Sequence, residues 1–196
     1  KCLSLLDTRL IKGRGQMFKT LFYNRVGSLF FEDVKMQGHF YFIEEQYFID
    51  FPDKYLMKNK EVINGVEHNR PSFLSFVDTK TGLQWMIPIS SKVQKYKNIY
   101  NNKTANGKKC DTIAFGHVIG YQCAFLIQNM FPVTQAYIKN EYLDSVSRLP
   151  VRLPQNEEAE IISKAQKVLS MVKNQRMTYL IFPNVLTIEK KLLGIS

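Results

Sequence analysis

The residues richest in possible chemistry are consecutive: Ser90-Ser91-Lys92, followed closely by Lys95, Tyr96, Lys97 and Tyr100. Two adjacent hydroxyls where a buried strand gives way to a loop can hold a phosphate, together with backbone N–H groups. Lysines beside them place positive charge where a phosphorane oxyanion would develop. Tyrosines among those lysines offer faces on which unpaired bases stack. The plainer reading is a capped strand or helix end followed by a solvated lysine–tyrosine face. The residue types alone leave both readings open.

The surrounding sequence must position these groups. Residues 83–89 and Ser72–Val77 are apolar, aromatic and β-branched, and the Gly-containing stretch 78–82 joins them as a hairpin. Phe40–Ile43 reads as a short buried strand, and residues 44–51 as a short helix ended by Pro52. Residues 54–69 are polar and read as loop, with Asn64-Gly65 as a turn. Residues 101–109 read as a lysine-rich loop. Residues 111–118 and 121–127 read as a second strand pair around Ile119-Gly120.

Helices are expected to dominate the C-terminal third. Thr134 is a candidate N-cap for a helix through about residue 146, and Asn156 for one over residues 157–173. The second has Glu157, Glu158 and Glu160 near its start and Lys173 near its end, as the helix dipole favours. It also carries Ile161, Ala165, Val168, Leu169 and Val172 on one face. A strand over residues 179–182 and a helix after Pro183 complete the pattern. The order implies an α+β fold, a twisted antiparallel β-sheet with surrounding helices in a single compact domain.

Residues 1–35 stand apart. They hold seven Lys or Arg against three acids, with no sustained period, and Gly13 and Gly15 interrupt them. Two readings of this N-terminal extension stand: a disordered basic arm, or a mistranslated leader ahead of a start at Met36. Glu32-Asp33-Val34-Lys35 can be encoded by codons containing a ribosome-binding sequence. The domain proper is then residues 36–196.

Of the chain's 196 residues, 45% are hydrophobic and 22% charged, which places it with globular domains and outside the disordered class. The net charge of +10 favours a polyanionic partner. The basic character survives without the extension. Cys2, Cys110 and Cys123 show no CxxC spacing and read as reduced thiols of a cytoplasmic protein. No apolar run is long enough to span a membrane, and no secretory signal is visible. Glycine-rich phosphate loops, HExxH and GxSxG are absent from the sequence. His39, His68 and His117 are too widely separated to suggest a metal site.

Three blocks, in order, resemble the toxins of type III toxin–antitoxin systems, the ToxN and AbiQ group, and most of all its CptN branch. They are Tyr41-Phe42-Ile43-Glu44-Glu45-Gln46-Tyr47, the span from Asn69-Arg70-Pro71-Ser72-Phe73 to Pro88-Ile89-Ser90-Ser91-Lys92, and the stretch from Ala124 to Val133. Tyr47 falls at the family's site tyrosine, and Ser90 and Ser91 at its threonine and serine. The chain departs from the pattern at two places. Pro71 stands where the family has a catalytic lysine, with Arg70 the nearest cation, and Val93 stands where it has a second lysine, between Lys92 and Lys95.

The resemblance implies a ToxN/AbiQ-like endoribonuclease that cuts RNA without a metal or other cofactor. The RNA's own 2′-hydroxyl would attack phosphorus, leaving a 2′,3′-cyclic phosphate. Ser90, Ser91, Arg70, Lys92 and Tyr47 would form the catalytic set, with Lys95, Tyr96, Lys97, Lys103, Lys108 and Lys109 contacting RNA. The implied partners are single-stranded RNA substrate and a small pseudoknot antitoxin RNA, held with the toxin in a closed hetero-oligomer. The competing reading is a basic RNA-binding protein without catalysis. A membrane-surface role is disfavoured, since no long helix sets a lysine-rich face against Trp and Phe.

Overall fold

The computed structural model describes residues 19–23, 29–33, 37–63 and 65–195. The chain divides into two units, Lys1–Met36 and Gln37–Ser196. In the first, β1 (Lys19–Tyr23) pairs antiparallel with β2 (Leu29–Asp33). Strands therefore occupy part of the segment read as an irregular extension. The rest of that extension, including Cys2, lies outside the described residues.

The second unit is built on a seven-stranded sheet in which every pairing is antiparallel. Its members are β3 (Phe40–Ile43), β6 (Ser72–Val77), β7 (Gln84–Ser90), β8 (Ala114–Val118), β9 (Tyr121–Phe125), β10 (Phe131–Val133) and β11 (Ile138–Glu141). The spatial order is β11-β3-β6-β7-β9-β8, with β10 also on β7. Four helices accompany the sheet: α1 (Glu45–Asp50), α2 (Val93–Thr104), α3 (Gln155–Gln175) and α4 (Val185–Leu192). A separate exposed ribbon joins β4 (Lys60–Ile63) to β5 (Val66–Asn69).

The sheet is covered on both faces, which explains why β6 and β7 read as continuous apolar runs instead of alternating ones. Phe73, Trp85, Ile87 and Phe125 share a core with Ile161, Ala165, Val168, Leu169 and Val172 of α3. Leu74, Met86 and Phe131 pack on the opposite side with Tyr47 and Phe48 of α1 and Ile188 of α4. Strand β7 is the spine. One flank pairs with β6 along its length, while the other pairs first with β10 and then, from Ile89, with β9. Pro88, which has no N–H to donate, stands where that neighbour changes.

A bulge in β6 shifts the register at Ser75, so that Leu74 opposes Met86 and Phe76 opposes Trp85. The buried Ser75 hydroxyl donates to the Trp85 carbonyl at 2.7 Å, satisfying the irregularity locally. The β6–β7 connection closes at Gly82, whose φ of 72° only glycine adopts without strain. At the other end of the domain, Glu157 of α3 accepts from both the backbone N–H and Nδ1 of His117, each at 2.7 Å, fastening the helix start to β8.

Four local expectations are corrected. The helix expected from Thr134 is a 3₁₀ turn, Gln135–Tyr137, followed by β11. Thr134 is extended and caps nothing, and the free edge of β3 captures Ile138, a tertiary pairing that overrides local propensity. The strand expected over residues 179–182 is another 3₁₀ turn, Thr178–Leu180, with Tyr179 and Phe182 exposed. The loop expected over residues 54–69 contains the β4–β5 ribbon, whose exposed faces leave no apolar alternation to read. The lysine–tyrosine run after Ser91 is α2, which continues to Thr104 and occupies the start of the expected 101–109 loop.

Candidate functional site

Strand β7 ends at Ser90, and within three residues the chain has turned into α2. Ser90 is buried, its hydroxyl accepting the Lys92 N–H at 3.2 Å. Ser91 is exposed, and its carbonyl accepts the Val93 N–H at 2.8 Å. The first turn of α2 has no side-chain cap and no acidic residue. With the Lys92 N–H given to Ser90 and the Val93 N–H to Ser91, the partial positive charge of the helix start is left on the next N–H groups of the turn, an arrangement suited to an anion.

The β4–β5 ribbon supplies the opposing wall. Buried Asn59 holds its base: Oδ1 accepts from Ile43 N–H at 2.8 Å, Nδ2 donates to the Ile43 carbonyl, and the Asn59 carbonyl accepts the Arg70 N–H. From there the chain passes through Pro71 into β6, where Ser72 pairs with Pro88. Continuing that antiparallel register two residues further would set Arg70 beside Ser90.

Glu61, on β4, joins the two walls. One carboxylate oxygen accepts from Arg70 Nη2 and the other from Lys92 Nζ at 2.5 Å. Burial pushes the Glu61 carboxyl up, but hydrogen bonds from Lys92 and Arg70, with their charges, outweigh it and hold the group below its usual range. Two cations against one carboxylate leave the cluster with one net positive charge. Tyr96, one turn into α2, lies in the same field. Its phenol is raised above its ordinary value chiefly by burial, with Arg70 and Lys92 opposing and Glu61 assisting, so it stays a neutral donor at neutral pH. Lys95 Nζ lies 5.5 Å from the Tyr96 ring centroid.

The structure thus brings together Ser90, Ser91, Arg70, Lys92, Lys95 and Tyr96. Lys97 is half-buried on α2, and Lys108 and Lys109 are exposed beyond its end. Tyr100 packs edge-on against Phe115, with centroids 5.7 Å apart. Two expected site residues are placed elsewhere. Tyr47 is fully buried, donates to the Pro132 carbonyl at 2.8 Å, and packs among Phe48, Phe51, Phe131 and Tyr137. It is a core aromatic with a satisfied hydroxyl. Lys103 is half-buried and donates to Thr112 at 2.9 Å and Gln128 at 2.8 Å, fixing α2 to the body of the domain.

Glu61 and Asn59 are the residues that sequence reasoning missed. The signal available was Asn64-Gly65, a strong hairpin turn flanked by Val62-Ile63 and Val66, read only as a turn because the stretch around it is mostly polar.

An open cleft of about 600 Å³ lies elsewhere, lined by Tyr55, Val172, Tyr179 and Phe182, and includes no residue of the cluster. Among the described residues, no three His, Cys, Asp or Glu side chains form a group able to hold a metal ion, and no helix is long and apolar enough to cross a membrane. Cys110 and Cys123 are free and buried.

No family model matches the chain, and no curated protein matches it in sequence. A solved structure does share the architecture. That of AbiQ, a lactococcal anti-phage endoribonuclease belonging to the type III toxin–antitoxin system, superposes with a TM-score of 0.57. The match covers 79% of this chain and 94% of that one, at 13% sequence identity. At that identity what is shared is the fold, an α+β domain around a mostly antiparallel sheet.

Proposed function

We propose that this chain is an endoribonuclease toxin of a type III toxin–antitoxin system, acting in the cytoplasm in defence against phage. The observation that carries the reading is the exposed Ser91 hydroxyl at an uncapped helix start, beside the Arg70–Glu61–Lys92 bridge. The AbiQ-like fold supports it.

In this reading a phosphodiester of single-stranded RNA sits against Ser91 and the first turn of α2. Its single negative charge balances the cluster's excess cation. Arg70 and Lys92 stabilise the charge that builds on the phosphorane. Arginine suits that task, since it stays charged, and for the same reason it is not the proton shuttle. Ser90 holds the turn through the Lys92 N–H. The RNA's 2′-oxygen displaces the 5′-oxygen, giving a 2′,3′-cyclic phosphate and a 5′-hydroxyl without a metal. A pseudoknot RNA antitoxin would cover the same surface in a closed toxin–RNA assembly, with Lys95, Lys97, Lys108 and Lys109 meeting its phosphates.

The test is incubation of the purified protein with single-stranded RNA in EDTA, followed by analysis of the ends. Cleavage leaving cyclic phosphates, lost in Ser91→Ala, is the expected result. Binding without cleavage would instead establish a non-catalytic RNA-binding protein, and cleavage that needs a divalent cation would overturn the mechanism.

A further inference from the structure

The cluster as described has charge and hydroxyls but lacks a group that exchanges a proton near neutrality. The Arg70 guanidinium stays charged. Lys92 is held by Glu61, Glu61 is held acidic by both cations, and burial keeps the proton on Tyr96. Attack by a 2′-hydroxyl needs a proton acceptor. Histidine is the side chain whose ordinary titration falls between pH 5 and 8.

Of the three histidines, two are committed. His39 Nδ1 is bound to Glu141, and His117 Nδ1 to Glu157 at 2.7 Å. His68 is exposed and makes no hydrogen bond or ion pair among the described residues. It stands on β5 directly opposite Glu61 on β4. Directly opposed residues share a face, with Cβ atoms about 4.5–5.5 Å apart. Strand alternation puts Arg70, two residues on, on that face as well, while Lys60 and Glu67 lie on the other. The ion pairs follow this division, Arg70 with Glu61 and Lys60 with Glu67 at 2.6 Å.

We propose that His68 is the general base of the site, a role that rests on the RNA-cleaving reading above. Its imidazole takes the 2′-hydroxyl proton as the 2′-oxygen bonds to phosphorus. The bond from phosphorus to the 5′-oxygen breaks, that oxygen takes a proton from water, and the imidazolium returns its own to solvent. The charged groups on its face of the ribbon are Glu61 and Arg70, and Lys92 of α2 joins them through its ion pair with Glu61.

The experiment measures single-turnover cleavage of a randomised single-stranded RNA pool from pH 5 to 9, in EDTA, by the full chain and by His68→Ala, His68→Gln and Ser91→Ala. Circular dichroism confirms that each is folded. At pH 7 the His68 variants should lose about 10²–10⁴-fold in rate. Their acid limb should vanish, and free imidazole should partly restore His68→Ala. Cleavage within about twofold of wild type and an unchanged pH profile in both His68 variants, with Ser91→Ala inactive, would overturn the base assignment and leave the nuclease reading standing, since an effect under about 0.4 kcal/mol is no catalytic contribution. Slower cleavage with the acid limb intact and no imidazole rescue would also overturn it. An inert wild-type protein would overturn the nuclease reading, and this role with it.

Discussion

Glu61 Oε1 and Lys92 Nζ stand 2.5 Å apart, and this contact, with Arg70 on the other carboxylate oxygen, ties the β4–β5 ribbon to the start of α2. The two elements are separated by the whole β6–β7 hairpin in sequence, so the pair defines the site more than any local motif does. Glu61→Gln keeps the shape and removes the charge. Arg70 and Lys92 then lose their common counterion and the walls their bridge. Cleavage should fall at least tenfold with the fold retained, as read by product formation and circular dichroism.

The same bridge has a pH signature. The Glu61 carboxyl is lowered in the folded state, so its contribution to stability is present above the ordinary glutamate range near pH 4.3 and is lost as pH falls through the lower folded value. Acid unfolding of the wild type should therefore be steeper below about pH 4 than that of Glu61→Gln. Parallel denaturation curves from pH 5 to 2 check this, and coincident slopes would count against it.

Ser90 and Ser91 are adjacent yet should behave differently. The Ser91 hydroxyl is exposed, so Ser91→Ala should abolish cleavage with almost no change in stability. The Ser90 hydroxyl is buried and accepts a backbone N–H, so Ser90→Ala should cost about 1–3 kcal/mol of stability by leaving that donor unpaired. Chemical denaturation of the pair, alongside RNA cleavage, separates the two roles.

What the sequence disclosed and concealed follows from burial. The β6–β7 and β8–β9 hairpins and α3 were legible because both faces of one sheet and one face of a helix must be apolar to pack, and Phe73, Trp85, Phe125 and Ile161 report that directly. Ser91 and Lys92 were legible as the abrupt polar end of such a strand. Glu61 and His68 were not, because the ribbon that bears them is exposed on β5 and buries too little to leave a pattern. Nor was α2 legible, since none of its residues is fully buried. Tyr47 was misplaced because a site tyrosine and a core tyrosine read alike; only the Pro132 carbonyl at the end of its hydroxyl tells them apart.

That distinction can be tested. Tyr47→Phe leaves the ring stack intact and strips one buried hydrogen bond, so it should cost about 1–2 kcal/mol of stability. RNA cleavage per folded molecule should stay unchanged. A folded Tyr47→Phe protein that no longer cuts would return Tyr47 to the site.

The lysines divide in the same way. Lys103 is held by Thr112 and Gln128, whereas Lys108 and Lys109 are exposed just beyond the same helix. Lys103→Met leaves two buried acceptors short of a donor, so it should lower the unfolding midpoint with little effect on the salt dependence of RNA binding. Lys108→Ala and Lys109→Ala should leave the midpoint alone and weaken binding. For single-stranded RNA each phosphate contact contributes roughly 0.7 to the slope of log K against log salt, so the double variant should flatten that slope by about 1.4. An unchanged slope in the double variant would remove both residues from the RNA interface, while flattening in Lys103→Met would show that α2 meets phosphate along its whole length.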